Sequence, residues 1–367
     1  MDTGCVRNLP FPFALFLATA ADAGGLDLSG QPVTLLFHGG NYAEVAFGIL
    51  DPRIVGADAE GVSSGDVYGT VSNLGAGVVR QFGDRWSGAL ILDHPYGVRV
   101  DYGDAGPGFP FAGTHAAPDS VAVTALLRYR LGPHWSVHGG PRMQRFGGEA
   151  YLAGPGYGPL SGYEWTGEPD WGLGYVLGGA FEIPEIALRV ALTYGSQIDH
   201  DLDATESISG PTTTPVTLPQ SLNLDFQTGV APDTLVYGLV RWVNWDGWTV
   251  APAGLLAATG QPLIAFDDDA FTFRLGLARQ LSDSMAAAIE ITHETARNET
   301  TTALDPYDGF TALGLGGSWS LPSGLELGAG LGYSWLGDAT AVLPSGASAR
   351  FADNHAVSAR VRLGLRF

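Results

Sequence analysis

The sequence contains no lysine, so all 18 of its basic side chains are arginines. They are outnumbered by 38 acidic residues, and the formal net charge is −20. Because this charge would repel phosphate groups, it argues against a nucleic-acid partner. Charged residues are also scarce, at 15% of the chain, whereas soluble domains average about 25%.

Cysteine is nearly absent, and the single Cys5 precedes the predicted start of the mature chain. A mature chain without cysteine has no disulfide, no thiolate metal site and no cysteine nucleophile. Long apolar runs are missing as well. After the N-terminal region, no stretch reaches the roughly 18 consecutive apolar residues that a membrane helix needs.

The N-terminus has the three parts of a secretory signal. Arg7 is followed by the apolar run 9–20 and by the small-x-small sequence Ala21-Asp22-Ala23, which is typical of a cleavage site. We therefore predict a signal peptide over residues 1–23. An exported chain without a membrane helix is either a periplasmic protein or a multi-pass barrel in the outer membrane of a Gram-negative cell.

Glycine is abundant, at 53 of 367 residues, and turn residues divide the chain at regular intervals. Six short turns alternate with seven long connections, which together join fourteen strands. This alternation is typical of outer-membrane barrels, so we predict an all-β fold, a 14-stranded antiparallel transmembrane β-barrel. The short turns are 82–85, 131–134, 182–185, 231–233, 281–283 and 321–324. The long connections are 58–70, 103–119, 147–170, 198–218, 246–268, 298–308 and 337–353.

Apolar and polar residues alternate along the predicted strands. A soluble β-sandwich alternates in the same way, with its apolar face inward. Arginine separates the two cases, because Arg189, Arg274, Arg360 and Arg362 fall on the small or polar face, which favours a lumen over bulk solvent. Phe367 ends the last alternating strand and fits the terminal aromatic signal that the barrel assembly machinery recognises.

The segment 235–245 predicts a partly apolar bore. A charge facing lipid costs about 2–4 kcal/mol at mid-depth, so Arg241 is assigned to the interior. Alternation then places Leu235, Tyr237, Leu239, Val243 and Trp245 inside with it. These side chains either line a route for hydrophobic molecules or pack against the N-terminal segment, and both alternatives remain open.

The stretch 86–102 is predicted to be one long strand with an interruption in its middle. Counted in twos, Trp86, Leu90, Tyr96 and Tyr102 share one face. Asp93-His94-Pro95-Tyr96-Gly97 breaks the pairing, because proline has no N–H to donate and glycine loosens the backbone. The break is either an opening in the barrel wall or a β-bulge, and its mid-strand position favours the opening.

Several stretches resemble the FadL/TodX family of outer-membrane transporters: 41–48, 94–97, 218–221 and 239–245. The Asn-Pro-Ala motif typical of the family's N-terminal hatch is absent. The resemblance implies a fourteen-stranded barrel over 42–367 with a plug, the hatch, over 24–41. It also implies passive uptake of long-chain fatty acids or other hydrophobic compounds, which leave sideways through a kink in the third strand. By our count, this strand is 86–102.

Three groups of site residues follow from the alternation and the resemblance. The inward arginines pair either with a fatty-acid carboxylate or with inward acids such as Glu290, Glu294 and Glu326, and the second outcome is the commoner one for lumen charges. The predicted ligand-binding residues are Leu235, Tyr237, Leu239, Arg241, Val243, Arg189 and Arg274. The predicted lateral gate is Asp93, His94, Pro95, Tyr96 and Gly97. The predicted plug residues are Leu26, Leu28, Val33, Leu35 and Phe37.

The expected partners are a hydrophobic, fatty acid-like molecule, outer-membrane lipid and lipopolysaccharide, and the barrel assembly machinery, with the chain as a monomer. No cofactor or metal is predicted, because the acidic runs 199–203 and 267–269 lack the glycine and final glutamate of a Ca²⁺ loop. A porin remains an alternative. A barrel enzyme is another, but its best candidates, His293 and Glu294, are adjacent on a strand and point to opposite faces.

Overall fold

The structure is a computed structural model that describes residues 26–297 and 300–367, so the predicted signal peptide lies outside the described residues. One antiparallel sheet closes into a barrel of fourteen strands, which confirms the predicted fold class. The strands are β1 Tyr42–Arg53, β2 Val71–Phe82, β3 Trp86–Asp93, β4 Asp119–Arg130, β5 Trp135–Leu152, β6 Tyr163–Ile183, β7 Leu188–Gly195, β8 Ser221–Ala231, β9 Thr234–Val243, β10 Ala270–Gln280, β11 Met285–Glu294, β12 Phe310–Ser320, β13 Leu325–Leu336 and β14 His355–Arg366.

The barrel closes between its first and last strands. β1 pairs with β2 on one side and with β14 on the other, where the register runs from Tyr42 opposite Arg366 to Arg53 opposite His355. This closure matters because a membrane offers no water to the backbone, so each strand must find its hydrogen bonds in its neighbours. Within the described residues, no helix has the length and apolar character needed to cross a membrane.

Side chains alternate between the two faces of the wall as the sequence predicts. On β13, Leu331 is 64% exposed and Glu326 is 1% exposed. On β14, Val361 is 56% exposed and Arg362 is 4% exposed. The outer face is therefore apolar and the inner face carries the charges, the arrangement expected of a barrel surrounded by lipid.

Two of the predicted long connections contain more regular structure than expected. β5 and β6 extend into 147–170, where Trp165 pairs with Ala150. The segment 198–218 is a hairpin that prolongs β7 and β8. Glycine and proline in these stretches obscure the alternation of apolar and polar residues in the sequence, although the strands pair regularly in the structure. Outside the barrel strands, the short elements are Thr34–Phe37, Val55–Asp58, Ser63–Asp66, Val100–Asp101, His115–Ala116, Pro155–Leu160, Pro184–Ile186, Ile198–Glu206, Gly210–Leu218, Trp248–Val250, the helix Ala253–Thr259, Ile264–Phe266, Thr300–Thr301, Ala339–Val342 and Ser348–Phe351.

The long connections pack together over one end of the barrel around two aromatic clusters. In one cluster, Trp248 stacks on Phe266 with ring centroids 5.2 Å apart, and Trp245 meets both rings edge-on. In the other, Tyr102 contacts Phe109 and Phe111. These contacts give the long connections an apolar core of their own, so they form a folded cap.

The N-terminal segment 26–41 lies in the bore. Val33, Leu35 and Leu36 are at most 3% exposed and belong to a cluster with inward side chains of β2, β3 and β4. A side chain at Gly77 would come within 2.3 Å of Leu35 Cδ2, so the absence of one lets the segment approach β2. All five predicted plug residues lie in this segment.

Candidate functional site

The ladder between β2 and β3 is interrupted. Pairing stops at Ala76 opposite Leu92, and a bridge between Tyr68 and Val100 marks where it resumes. Tyr68 lies eight residues before Ala76, and Val100 lies eight residues after Leu92, so the register is unchanged. Within the described residues, Val71–Gly75 therefore has no ladder partner on this side, and the hydrogen-bond ladder of the wall has a gap there.

The segment that leaves the ladder pairs with the N-terminal segment inside the bore. Leu28 N–H donates to Pro95 O at 2.8 Å, and Gly97 N–H donates to Leu26 O at 2.8 Å. Because Pro95 has no N–H of its own, it contributes only its carbonyl. The backbone N–H and carbonyl of Tyr96 both bond the Ser120 hydroxyl, at 2.8 and 2.7 Å.

This detour overturns the predicted facing above the break. Below it, Leu90 is 49% exposed on the outer wall. Above it, Tyr96, Val100 and Tyr102 are at most 1% exposed. The single apolar face predicted for 86–102 is therefore wrong beyond Asp93, because the chain bends inward and its apolar side chains are covered by the N-terminal segment and the cap.

An apolar cavity adjoins this gap in the ladder. Val71, from the unpaired edge of β2, and Gly97 and Val98, from the break, form its side toward the wall. The remaining lining side chains are apolar or tyrosine. They are Leu28, Leu50, Pro52, Ile54, Tyr68, Tyr307, Leu336 and Ala356. We call this space the lower cavity.

A second cavity lies beneath the cap. We call it the upper cavity. Its aromatic lining comes from Phe146, Trp165 and Trp248, and its one charged lining residue is Glu149. The other lining residues are Leu26, Val98, Ala116, Pro118, Gly147, Gly148, Ala150, Val250, Leu263, Ile264 and Leu304.

Three chain segments separate the two cavities. Val98 lines both of them. Leu26 lines the upper cavity and Leu28 the lower. In the connection between β11 and β12, Leu304 lines the upper cavity and Tyr307 the lower. We call the region between the cavities, formed by 26–28, 97–98 and 304–307, the junction.

Polar contacts tie the N-terminal segment to the wall at the junction. Asp27 forms an ion pair with Arg241, whose Nε lies 2.8 Å from Asp27 Oδ2. Asn223 also joins the N-terminal segment to Arg241, because it donates to Gly30 O at 2.9 Å and accepts from Arg241 Nη1 at 2.8 Å. Four residues of three different elements thus hold one turn of the plug.

Gln31 and Ser29 add contacts to strands on either side of the break. Gln31 donates to the Tyr96 hydroxyl at 2.7 Å and accepts from Arg142. Ser29 donates to Asp93 Oδ2 at 2.8 Å. The break in β3 is therefore held inward by the same segment that fills the bore.

Phe37 anchors the other end of the plug. Its ring lies between two guanidinium groups, with Arg128 Cζ at 4.6 Å and Arg189 Cζ at 4.9 Å from the ring centroid. His138 meets the same ring edge-on at 5.5 Å. Glu182 forms an ion pair with Arg128, so this clamp is also joined to β6.

Comparisons with known proteins give structural matches only. No family model matches the chain, and no curated protein does. A FadL homologue from Pseudomonas aeruginosa matches with a TM-score of 0.76 at 12% identity, over 96% of this chain and 99% of that one. The P. putida toluene transporter TodX gives 0.68 at 12% identity over 92% of each chain. The Ralstonia pickettii toluene transporter TbuX gives 0.62 at 15% identity, over 95% of this chain and 98% of that one.

The chain has the FadL/TodX fold. The resemblance noted in four short stretches of sequence thus extends to nearly the whole barrel. At these identities the match establishes the fold, and the site has to be argued from this chain's own residues.

Within this FadL/TodX fold, the predicted ligand-binding residues all face inward, but none lines either of the two cavities described above. Arg241 pairs with Asp27, and Arg189 donates to Gln227 at 2.8 Å. Arg274 lies 3.4 Å from the Thr292 hydroxyl. Leu235 belongs to a separate small apolar cluster. The other predicted ligand-binding residues lie on β9 and are Tyr237, Leu239 and Val243.

The inward acids are engaged with protein groups. Glu326 accepts from Arg366 at 2.7 Å and lies 3.9 Å from Arg362. Glu290 accepts from the Tyr237 hydroxyl at 3.0 Å. Glu326 is therefore paired with arginines of β14, whereas Glu290 accepts a hydrogen bond from a neutral hydroxyl.

The enzymatic and metal alternatives gain no geometric support. His293 lies on the outer face of β11 beside Thr311, whereas Glu294 is 1% exposed on the inner face. Asp269 accepts from the indole of Trp242 at 2.7 Å and from the amide of Asn244 at 3.1 Å. In the described parts of the chain, no three His, Cys, Asp or Glu residues converge on a possible metal position.

The cavity residues contributed by the cap were missed from sequence. Tyr68, Trp248, Leu304 and Tyr307 sit in connections that show no periodicity. The dense aromatic stretch 245–248 was the one available signal, since a tryptophan in a polar loop usually packs against something.

Proposed function

We propose that the chain is a channel of the Gram-negative outer membrane for passive uptake of hydrophobic compounds. The observation that carries this proposal is the succession of two largely apolar cavities. The lower cavity adjoins the gap in the ladder between β2 and β3. The apolar outer face and the closed barrel support the membrane location. The structural neighbours that are toluene transporters support the substrate class.

The route that we propose runs through the wall. A hydrophobic solute enters beneath the cap, occupies the upper cavity, passes the junction, and reaches the lower cavity. From there it leaves sideways between β2 and the break in β3, so it enters lipid without crossing the bore. No step needs an energy source, because the solute moves down its own gradient.

A porin is the competing function, and the filled bore disfavours it. Val33–Phe37 packs against the inner wall, and Asp27–Gln31 is bound to β5, β8, β9 and the break. A steady, large conductance in planar bilayers would favour the porin.

Uptake by cells tests the proposal. The chain is expressed in a Gram-negative host that lacks its own channels for hydrophobic compounds, and the initial uptake of radiolabelled p-xylene and oleate is measured. We expect uptake of at least one of the two to rise several-fold over cells carrying an empty vector. Uptake equal to the empty vector, with the barrel present in the outer membrane, contradicts the proposal.

A matched pair of glycine substitutions tests the lateral exit. A side chain at Gly97 meets Leu28 Cδ1 at 3.0 Å and projects into the lower cavity, whereas one at Gly48 has no neighbour closer than 3.8 Å. We expect Gly97→Val to reduce uptake several-fold and Gly48→Val to leave it unchanged. Equal uptake by the two variants rules out this exit.

A further inference from the structure

Three residues at or beside the junction have buried hydrogen-bonding groups without partners. In the described part of the chain, Arg297 Nε and Nη1, Asp305 Oδ1 and the Tyr68 hydroxyl are buried and have no hydrogen-bond partner. The side chains of Arg297 and Asp305 are only 7% and 5% exposed. A buried polar group without a partner is destabilising, so these groups indicate a place where a polar atom binds.

These groups lie between the two cavities. Asp305 is placed between Leu304 of the upper cavity and Tyr307 of the lower one. Tyr68 lines the lower cavity, and its ring meets Tyr307 edge-on at 6.0 Å. A molecule that passes from one cavity to the other must pass these side chains.

Arg297 is fixed in this position from two sides. Its Nη2 donates to Asp305 Oδ2 at 2.8 Å, and its guanidinium lies over the Phe266 ring at 4.8 Å. Phe266 in turn stacks on Trp248 of the upper cavity. The guanidinium is therefore held in place with Nη2 already hydrogen-bonded and with Nε and Nη1 still available.

The charges around Arg297 disfavour an anion. Its backbone N–H donates to Asp308 at 2.6 Å, so a second carboxylate lies beside Asp305. Burial lowers the pKa of Arg297, but the nearby Asp305 and Glu294 raise it more, so the guanidinium keeps its charge. A carboxylate ligand would meet one arginine already surrounded by acids, and repulsion would oppose its binding.

We propose that the junction is a binding site for the hydroxyl group of a neutral, hydroxylated hydrophobic molecule. A hydroxyl accepts one hydrogen bond and donates another. It accepts from Arg297 or Tyr68 and donates to Asp305 Oδ1, while the apolar body occupies a neighbouring cavity. A hydrocarbon leaves all these groups without partners, and a carboxylate cannot donate to Asp305. This inference rests on the proposed function and specifies its substrate class.

Three probes of nearly equal shape test the inference: p-xylene, p-cresol and p-toluate at pH 7. Binding to the purified full barrel in mild detergent is measured by calorimetry, with empty micelles subtracted. We expect the Kd of p-cresol to be about tenfold lower than that of the other two, as one additional satisfied hydrogen bond implies.

Two tyrosine variants provide a matched comparison. Tyr68→Phe removes the hydroxyl without a partner and should raise the Kd of p-cresol severalfold while leaving that of p-xylene unchanged. Tyr102→Phe removes a buried hydroxyl that already donates to Ala303 O at 2.7 Å, so the ratio of the two Kd values should stay the same.

Each other outcome is decisive. Binding of p-xylene and p-cresol with equal Kd overturns the inference and leaves the proposed function intact, as does tighter binding of p-toluate. If the preference for p-cresol survives both Tyr68→Phe and Arg297→Gln, water alone satisfies these groups. That outcome overturns the inference too. Failure of all three probes to bind overturns the inference, and the proposed function is then contradicted only if oleate also fails to bind.

Discussion

The carboxylate of Asp27 is ion-paired with the guanidinium of Arg241 inside the barrel, where the two side chains are 4% and 2% exposed. Asp27 belongs to the N-terminal segment and Arg241 to β9, so the contact joins the plug to the wall. It also lies at the junction, between the residues that line the two cavities. The Asp27–Arg241 ion pair therefore both holds the plug and lies on the proposed route for solutes.

Replacing Asp27 by asparagine should loosen the plug. Breaking a buried ion pair by removing one partner costs about 3–5 kcal/mol, because the other charge is left uncompensated. We expect Asp27→Asn to raise the ion conductance of single barrels in planar bilayers. As a control, Asp338→Asn removes a partner of Arg350 from a pair that is 53% and 71% exposed, and it should change nothing. An unchanged conductance for Asp27→Asn would show that the ion pair does not hold the plug.

Phe37→Ala should open the other end of the bore. The substitution removes an aromatic side chain that is 8% exposed together with its contacts to two guanidinium groups, each contributing about 0.5–2 kcal/mol. We expect a larger conductance than in the parent, again measured in planar bilayers. Phe82→Ala, at an outward position that is 52% exposed, is the matched control. If both variants conduct like the parent, Phe37 is not a seal.

Glu206 should make one part of the cap sensitive to acid. Its carboxylate accepts from the backbone N–H groups of Gly254 and Leu255, each at 2.9 Å, at the start of the helix Ala253–Thr259. Burial raises the pKa of Glu206, but these hydrogen bonds and one from Tyr163 lower it further, so the net value falls below the ordinary 4.5.

The sign of the pH effect follows from this lowered pKa. The stabilisation is complete above pH 4.5 and is lost as the pH falls from there through the lower pKa of the folded state. We expect amide hydrogen exchange of residues 253–259 to accelerate over that interval, after correction for the intrinsic pH dependence. In Glu206→Gln the corrected exchange should be faster at neutral pH and independent of pH. Equal pH profiles of exchange in the parent and in Glu206→Gln would show that Glu206 does not stabilise the helix Ala253–Thr259.

The outer wall should tolerate arginine near the turns but not at mid-depth. Leu275 lies in the middle of β10 and Leu281 in the following turn, and they are 52% and 61% exposed. In a lipid bilayer, Leu275→Arg should cost about 2–4 kcal/mol and Leu281→Arg about 0–1 kcal/mol. Urea titrations of barrels folded in vesicles measure both values. Equal costs would mean that β10 does not face hydrocarbon.

The strands were predictable because their cause is local. Along β13, Leu327 and Leu331 point outward and Glu326 points inward at a period of two, and a barrel in lipid needs this pattern on each strand. Arg241 was assigned inward for the same reason, and the structure buries it. The break at Pro95 was predictable as well, because a missing N–H is a property of the residue itself.

The site was not predictable in the same way, because its members are distant in sequence. Nothing near Tyr68 indicates that it lies beside Tyr307, and nothing near Asp27 indicates Arg241. The predicted ligand-binding residues came from inward positions of single strands, mostly β9, whereas the cavities are lined by the plug, the break and the cap together. The facing of Tyr96 was wrong for a related reason, since a partner from the N-terminal segment drew it inward.

The sequence by itself determined the closed wall, the outward apolar face and the position of the break, because each follows from alternation, turn residues or a single proline. Only the tertiary structure decided what fills the bore, which charges pair, and where two cavities meet. Those features depend on contacts between residues that are far apart in the chain, such as Asp27 and Arg241, which are separated by 214 positions, and such contacts leave no periodic trace in a single sequence.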